Sequence, residues 1–287
     1  MKVKIPKTTF QIYRYQILPI SPNIQLNLFD ESIKSVDDLK AKKNTFFWDV
    51  IKSMNEMSYP RGELNCIKDS EDSPALMISI NCKRVIRIPE KDFTEKQFEM
   101  WPPVHIVFNN DPEIQKIAIS VNPKAFQSTQ TVASILRDNI NERLSKLNLA
   151  VYIKPTYEES EFWAVVDAYP NNISQVRFEL ISPNMSNISE SVKFDLHHLH
   201  KNTNTIQTNL ELNSAEDSAL QLNKSDEMVE SLAQYASRGG GDISFKIHGL
   251  KKRIKTAKKI TEVYFENAEI TGNPEVVLDF FKRLPKL

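Results

Sequence analysis

Strand-like runs of period two set the strongest limit on what this chain can fold into. Between Ile173 and Ile181, Val176, Phe178 and Leu180 alternate with Arg177 and Glu179. That spacing puts one face of a strand into a core and the other toward water. Further strands are read over 10–18, 75–80, 84–88, 104–108, 114–121, 150–154, 162–168, 243–248 and 261–270, with weaker ones over 192–196 and 205–212. Asn81-Cys82-Lys83 would turn the runs over 75–80 and 84–88 into a hairpin. Asn109-Asn110-Asp111-Pro112 would do the same for 104–108 and 114–121.

Helical stripes lie between these runs. Ser35 can cap a helix whose first turn carries Asp37 and Asp38, and Val132, Ile135, Leu136, Ile140, Leu144 and Leu147 form one apolar stripe. A helix starting near Ser225-Asp226-Glu227 should stop at Gly239, and Asn273-Pro274 opens a closing helix. The order of elements predicts an α+β protein with mixed or antiparallel sheets and packed helices. Trp101-Pro102-Pro103 breaks the chain, so two closely associated lobes are expected, 1–101 and 102–287. With 287 residues, 40% of them hydrophobic and 26% charged, the chain can bury a sizeable core.

No run of eighteen apolar residues is present, and the basic, alternating start MKVKIPKTTFQIYRYQILPI does not read as a signal peptide. Cys66 and Cys82 read as reduced, packed thiols rather than a disulfide. Together these features place the protein in the cytoplasm.

The formal net charge is +0, with 37 bases and 37 acids, yet the charges are segregated. From Thr205 to Ser237 the only base is Lys224, against six acids. From Arg238 to Lys259 there are eight bases, Arg238, Lys246, Lys251, Lys252, Arg253, Lys255, Lys258 and Lys259, against Asp242. The pattern predicts a strand followed by a short basic helix over 250–260, with Leu250, Ile254 and Ala257 inward, within a basic strand–helix element spanning 242–260. Such a block suits a polyanion, nucleic acid first, unless the acidic stretch before it compensates the lysines. Lysine contacts backbone phosphate more than it reads bases. Gly239, Gly240 and Gly241 just before it read either as a helix C-cap and connector or as a hinge.

Catalytic signatures are weak. The chain has no GxxxxGK[ST] loop, no GxGxxG between strand and helix, no HExxH, CxxC or GxSxG. Asp195-Leu196-His197-His198-Leu199-His200 holds three of the five histidines, but strand or helix geometry brings only two of them together. No metal site and no cofactor is expected. A nuclease would need a carboxylate cluster holding a metal ion, and the acids Glu158, Glu159, Glu161, Asp167 and Asp195 show no such spacing.

Three segments resemble the RexA-like phage-exclusion proteins and related bacterial phage-defence proteins in pattern and order. They are VHIVFNNDPEIQKIAISVNPKAFQS followed by a helix, LAVYIKPTYEESEFWAVVDAYPNNISQVRFELISPN, and DISFKIHGLKKRIKTAKKI. The resemblance spans Val104 to Ile260. It implies a cytoplasmic, dimeric DNA-binding protein of an anti-phage system. The triple glycine and the histidine cluster depart from the pattern. The expected function is therefore non-catalytic backbone binding to nucleic acid, with DNA as partner. Two alternatives stay open: an adaptor whose basic helix docks an acidic protein partner or a second copy, and a metal-dependent nuclease using His197, His198 or His200.

Overall fold

A computed structural model describes residues 7–21, 33, 35–91, 93–182, 199, 203, 205–256 and 259–282. The runs over 183–190 and 192–196 and the histidines at 197, 198 and 200 lie outside the described residues, as does Lys258.

The chain divides into two units that do not follow the expected break at 101. The first takes 1–11, 41–151 and 262–286; the second takes 12–40 and 152–261. The Trp101-Pro102-Pro103 break only joins two strands of the first unit. β1 (Lys7–Pro19) and β8 (Leu149–Pro155) carry the chain from one unit into the other.

The larger sheet has the order β13-β1-β7-β6-β3-β2, with β8 also paired to β1. It uses β2 (Leu64–Asp72), β3 (Ala75–Cys82), β6 (Pro103–Asn109), β7 (Lys116–Ser120) and β13 (Glu262–Glu266). The pairs β1–β13, β2–β3, β3–β6 and β6–β7 are antiparallel. The hairpin expected across Asn81-Cys82-Lys83 is not formed. β3 pairs instead with β2 and β6, while β4 (Arg84–Pro89) pairs with β5 (Glu95–Met100) in a separate two-stranded sheet. β3 is buried along almost its whole length, so two neighbouring strands satisfy its backbone. The hairpin expected over 104–121 is present as β6–β7.

Helices α1 (Val36–Lys52), α2 (Thr129–Leu144), α5 (Asn267–Gly272) and α6 (Pro274–Lys282) belong wholly or mainly to the first unit. Ser35 Oγ accepts from Asp38 N at 3.1 Å, and the Ser128 side chain accepts from Thr131 N, the caps that begin α1 and α2. Phe10 meets Phe265 and Phe281 with ring centroids 5.6 and 5.9 Å apart. Burying each such ring contributes about 1.5–3 kcal/mol. The strand expected over 261–270 is split: β13 ends at Glu266 and α5 follows.

The second unit holds a four-stranded antiparallel sheet, β10-β9-β11-β12, made of β9 (Ile173–Ile181), β10 (Gln207–Asn213), β11 (Gly241–Ile247) and β12 (Ile254–Lys255). The helices α3 (Ser160–Ala168) and α4 (Glu227–Tyr235) contribute to its core. That core joins Phe162 and Trp163 to Val176, Phe178, Leu180, Ile243 and Phe245. Phe162 lies 5.2 Å from Phe245 and 4.8 Å from Trp163, centroid to centroid. The run over 162–168 is thus helical, not a strand. Short apolar runs do not distinguish the two by periodicity.

The basic helix expected over 250–260 is also absent from the described residues. The chain turns at His248-Gly249, bends through Lys251-Lys252, pairs Ile254 with Phe245 in β12, and meets Tyr157 in a single bridge at Ile260. Closely spaced lysines repel on a helix. The strand pairing brings Ile254 against the sheet core without stacking those charges.

Candidate functional site

Directly paired residues of an antiparallel sheet share a face. On the second unit's sheet one face is apolar and packed by α3 and α4. The other is polar, and its side chains form rows across the strands. Lys255 pairs with Ser244, Ser244 with Arg177, and Arg177 with Glu211. The next row joins Lys246, Gln175 and Asn213; the opposite end of the strands holds Asp242, Glu179 and Asn209.

The acids of this face are largely occupied. Arg177 lies 2.7 Å from Glu211, and Gln175 Nε2 donates to Glu211 Oε1 and Asn213 Oδ1 at 2.5 Å each. The hydrogen bond from Arg177 is the main reason the Glu211 carboxyl is held below its usual value. Asp242 is paired with Lys154 at 2.5 Å. Glu179 sits in the row with Asp242, four residues along β11 from Lys246, or about 13 Å at the rise of a strand.

The basic side chains gather at the other end. Lys246 is exposed at the end of β11, Lys251, Lys252 and Arg253 are exposed in the turn, and Lys255 is exposed on the edge strand β12. Gly249, at φ 78°, makes this turn possible, with Leu250 N donating to Ile247 O at 3.1 Å. Arg253 Nη1 donates to Ser244 Oγ at 3.3 Å. Among the described residues, Lys246, Lys251, Lys252 and Lys255 make no ion pair. Glu211 of the acidic stretch over 205–237 feels the charge of Arg253, but among the described residues no acid of that stretch pairs with these four lysines.

Two expected members lie apart. Arg238 belongs to the single π-turn 236–240 that follows α4, before β11 begins, whereas the cluster lies at the far end of β11, about 20 Å of strand away. Lys259 is 3.9 Å from Glu161 and 84% exposed, so that pair adds little. Beyond the expected set, the structure adds Arg177, Gln175 and Ser244. The alternation of β9 already marks Arg177 as outward-facing; only strand order reveals that it shares a row with Lys255.

The three glycines are buried and closely packed, which fits the cap and connector reading better than a hinge. A Cβ on Gly239, at φ 84°, would fall 2.5 Å from Arg14 Cβ. One on Gly240 would lie 2.6 Å from the Tyr235 ring, and one on Gly241 2.1 Å from Glu179 O. Gly239 takes the left-handed conformation inside the turn that follows α4, and Gly241 lets β11 approach β9.

Among the described residues no group of three or more His, Cys, Asp or Glu could hold a metal ion, and no helix is long and apolar enough to cross a membrane. Cys66 and Cys82 are free thiols. The chain matches no protein-family model, and comparison with curated proteins finds no significant match.

Proposed function

We propose that this protein binds the phosphate backbone of nucleic acid, DNA in the first instance, through the β11–β12 hairpin. The observation that carries this reading is one of charge. Lys246, Lys251, Lys252 and Lys255 are exposed and without ion pairs among the described residues, while Arg177 and Lys154 occupy the neighbouring acids Glu211 and Asp242. Holding such cations together costs free energy that a row of phosphates would offset. With Arg253 the hairpin offers five cations. Duplex DNA loses affinity with salt at about 0.9 log units per neutralised phosphate, so full engagement gives a slope of about −4 to −5. Four of the five are lysines, which favours sequence-tolerant contact. The resemblance to phage-exclusion proteins adds the setting: a cytoplasmic protein of a bacterial anti-phage system that does no chemistry on the strand it holds.

Fluorescence anisotropy with labelled duplex and single-stranded DNA at low and physiological salt tests this. Tight, salt-sensitive and sequence-independent binding is expected; no binding at low salt to either form would overturn it.

A second copy of the chain is the protein partner that fits best. In the β4–β5 hairpin Val85, Ile86, Ile88, Phe93, Phe98 and Met100 are exposed, Phe93 by 97%. A two-stranded hairpin is marginally stable alone. Its charges are mixed, with Arg87–Glu95, Lys96–Glu90 and Lys83–Glu99 pairs, so it suits a copy of itself better than a partner of one sign. Sedimentation should show a dimer that Phe98→Glu dissociates; a wild-type monomer at high concentration would contradict this part of the reading.

A further inference from the structure

A line of polar side chains crosses the apolar strands of the first unit. Ser79 interrupts ALMISINC in β3, His105 interrupts VHIVF in β6, and Ser120 ends KIAIS in β7. Ser79 is the direct partner of His105, and the β6–β7 register carries the line on toward Ser120, whose Oγ accepts from His105 N at 2.7 Å. On the other side, the register of β2 slips between Lys68 and Ser70, leaving Asp69 as the extra residue of a bulge. Ser79 Oγ donates to Asp69 Oδ2 at 2.5 Å and lies 2.6 Å from His105 Nδ1.

The proton count fixes the imidazole. A serine has one proton, and Ser79 gives it to Asp69. Toward His105 its oxygen can only accept, so Nδ1 carries the hydrogen. In the neutral ring Nε2 is then a bare acceptor, and among the described residues it has no partner. Burial lowers the His105 pKa and favours that neutral ring, against the smaller opposing effect of Asp69. The order carboxylate–hydroxyl–imidazole is not that of a nucleophilic triad, where the imidazole stands in the middle. Here the hydroxyl and carboxylate orient the ring, and Nε2 is the working atom.

Two cavities adjoin His105, Pro103 and Ile270, of about 370 and 300 Å³. The larger has apolar walls, including Ile67, Ile80 and Pro274, with the carboxamides of Asn65 and Asn81. The smaller adds Thr8, Ser120, Asn122 and Asn267. Among the described residues the linings contain no Lys or Arg, and Asp69 and His105 are the only titratable groups. An anion has nothing to pair with. Asn65 Nδ2 donates to Asn81 Oδ1 at 3.1 Å, which leaves Asn65 Oδ1 as an acceptor beside Asn81 Nδ2 as a donor, the pattern that reads the edge of a nucleobase. The volumes lie at the lower end of the small-ligand range.

We propose that the cleft around His105 binds an uncharged nucleoside-sized molecule, its heterocycle donating a hydrogen bond to His105 Nε2 and meeting the Asn65 and Asn81 carboxamides with its edge. The test is a titration of the intact protein with adenosine, guanosine, cytidine and uridine, and with their 5′-monophosphates, with affinity measured by calorimetry in every variant and the site reported in the wild type by the His105 ring resonances. At least one nucleoside should shift them saturably, and its monophosphate should bind no more tightly. His105→Gln and Ser79→Ala should each weaken that binding about tenfold. Raising pH through the His105 pKa should strengthen it, since the protonated ring cannot accept. The wild-type titration stands on its own should a variant fail to fold. Three results would overturn the proposal: no shift with any nucleoside, unchanged affinity in a folded His105→Gln, or a monophosphate binding tenfold more tightly than its nucleoside.

Discussion

Arg177 and Glu211 face each other across β9 and β10 with guanidinium and carboxylate 2.7 Å apart, in the row that also holds Ser244 and Lys255. The pair removes one cation from the basic end of the sheet. Glu211→Gln should release it and remove a negative charge from the face. DNA affinity in the anisotropy assay should then rise about two- to fivefold, the size of an exposed pair. Weaker binding would show that Glu211 orders the face rather than restrains it.

Gly241 should be the least replaceable of the three glycines. A Cβ there would lie 2.1 Å from Glu179 O and 3.0 Å from Glu179 C, both backbone atoms. Gly241→Ala must separate β11 from β9 and should cost about 2–4 kcal/mol, read as a lowered midpoint in urea unfolding. Gly249→Ala meets nothing within 4 Å but sits at φ 78°, so its smaller cost, about 1 kcal/mol, comes from backbone strain alone.

Phe162→Ala should destabilise the second unit by about 3–5 kcal/mol, because its ring contacts Trp163, Phe178 and Phe245 in one buried cluster. Asp226→Ala, which removes the acceptor of two backbone N–H groups at the start of α4, should cost about 1 kcal/mol in the same assay.

How far the sequence reveals this architecture depends on how local each signal is. Ser35 and Asn273-Pro274 mark helix starts because a cap acts within one turn of its own residue. The alternation in β9 is equally local, so the polar face with Arg177 is legible. Phe162-Trp163 is not, since a short apolar run serves either a strand or a helix, and only its packing on Phe178 and Phe245 decides. The lysines of the turn are visible as a charge block, but their helix is not formed, because Ile254 pairs with Phe245. The interleaved units are invisible for another reason: segments such as 7–11 and 262–266 meet through strand pairing at long range, which no local pattern encodes. Ser79 and His105 can be seen as polar breaks in apolar strands, yet their facing each other follows only from the β3–β6 register.

Cys66 should be a slow thiol. Burial pushes its pKa up to about 11 from an ordinary 9.0, with Asp69 adding to the rise. A thiolate is the reactive form, so at pH 8 alkylation by iodoacetamide should run about 100-fold slower than for a free thiol. The sign for stability follows from the raised value. The folded state keeps its proton to higher pH, so any stabilisation from the thiol is complete below pH 9 and lost as pH rises toward 11. Rapid alkylation of Cys66 at pH 8 would contradict the burial described for it.

The most direct test of the central claim is the salt dependence of DNA binding by the variant Lys246→Glu, Lys251→Glu, Lys252→Glu, Lys255→Glu, measured beside the wild type. The four side chains are exposed, so the fold should survive, as circular dichroism would show. A wild-type slope of about −4 to −5 should fall to near zero, with affinity at low salt reduced at least 100-fold. A folded variant with unchanged affinity and slope would contradict backbone binding through this hairpin.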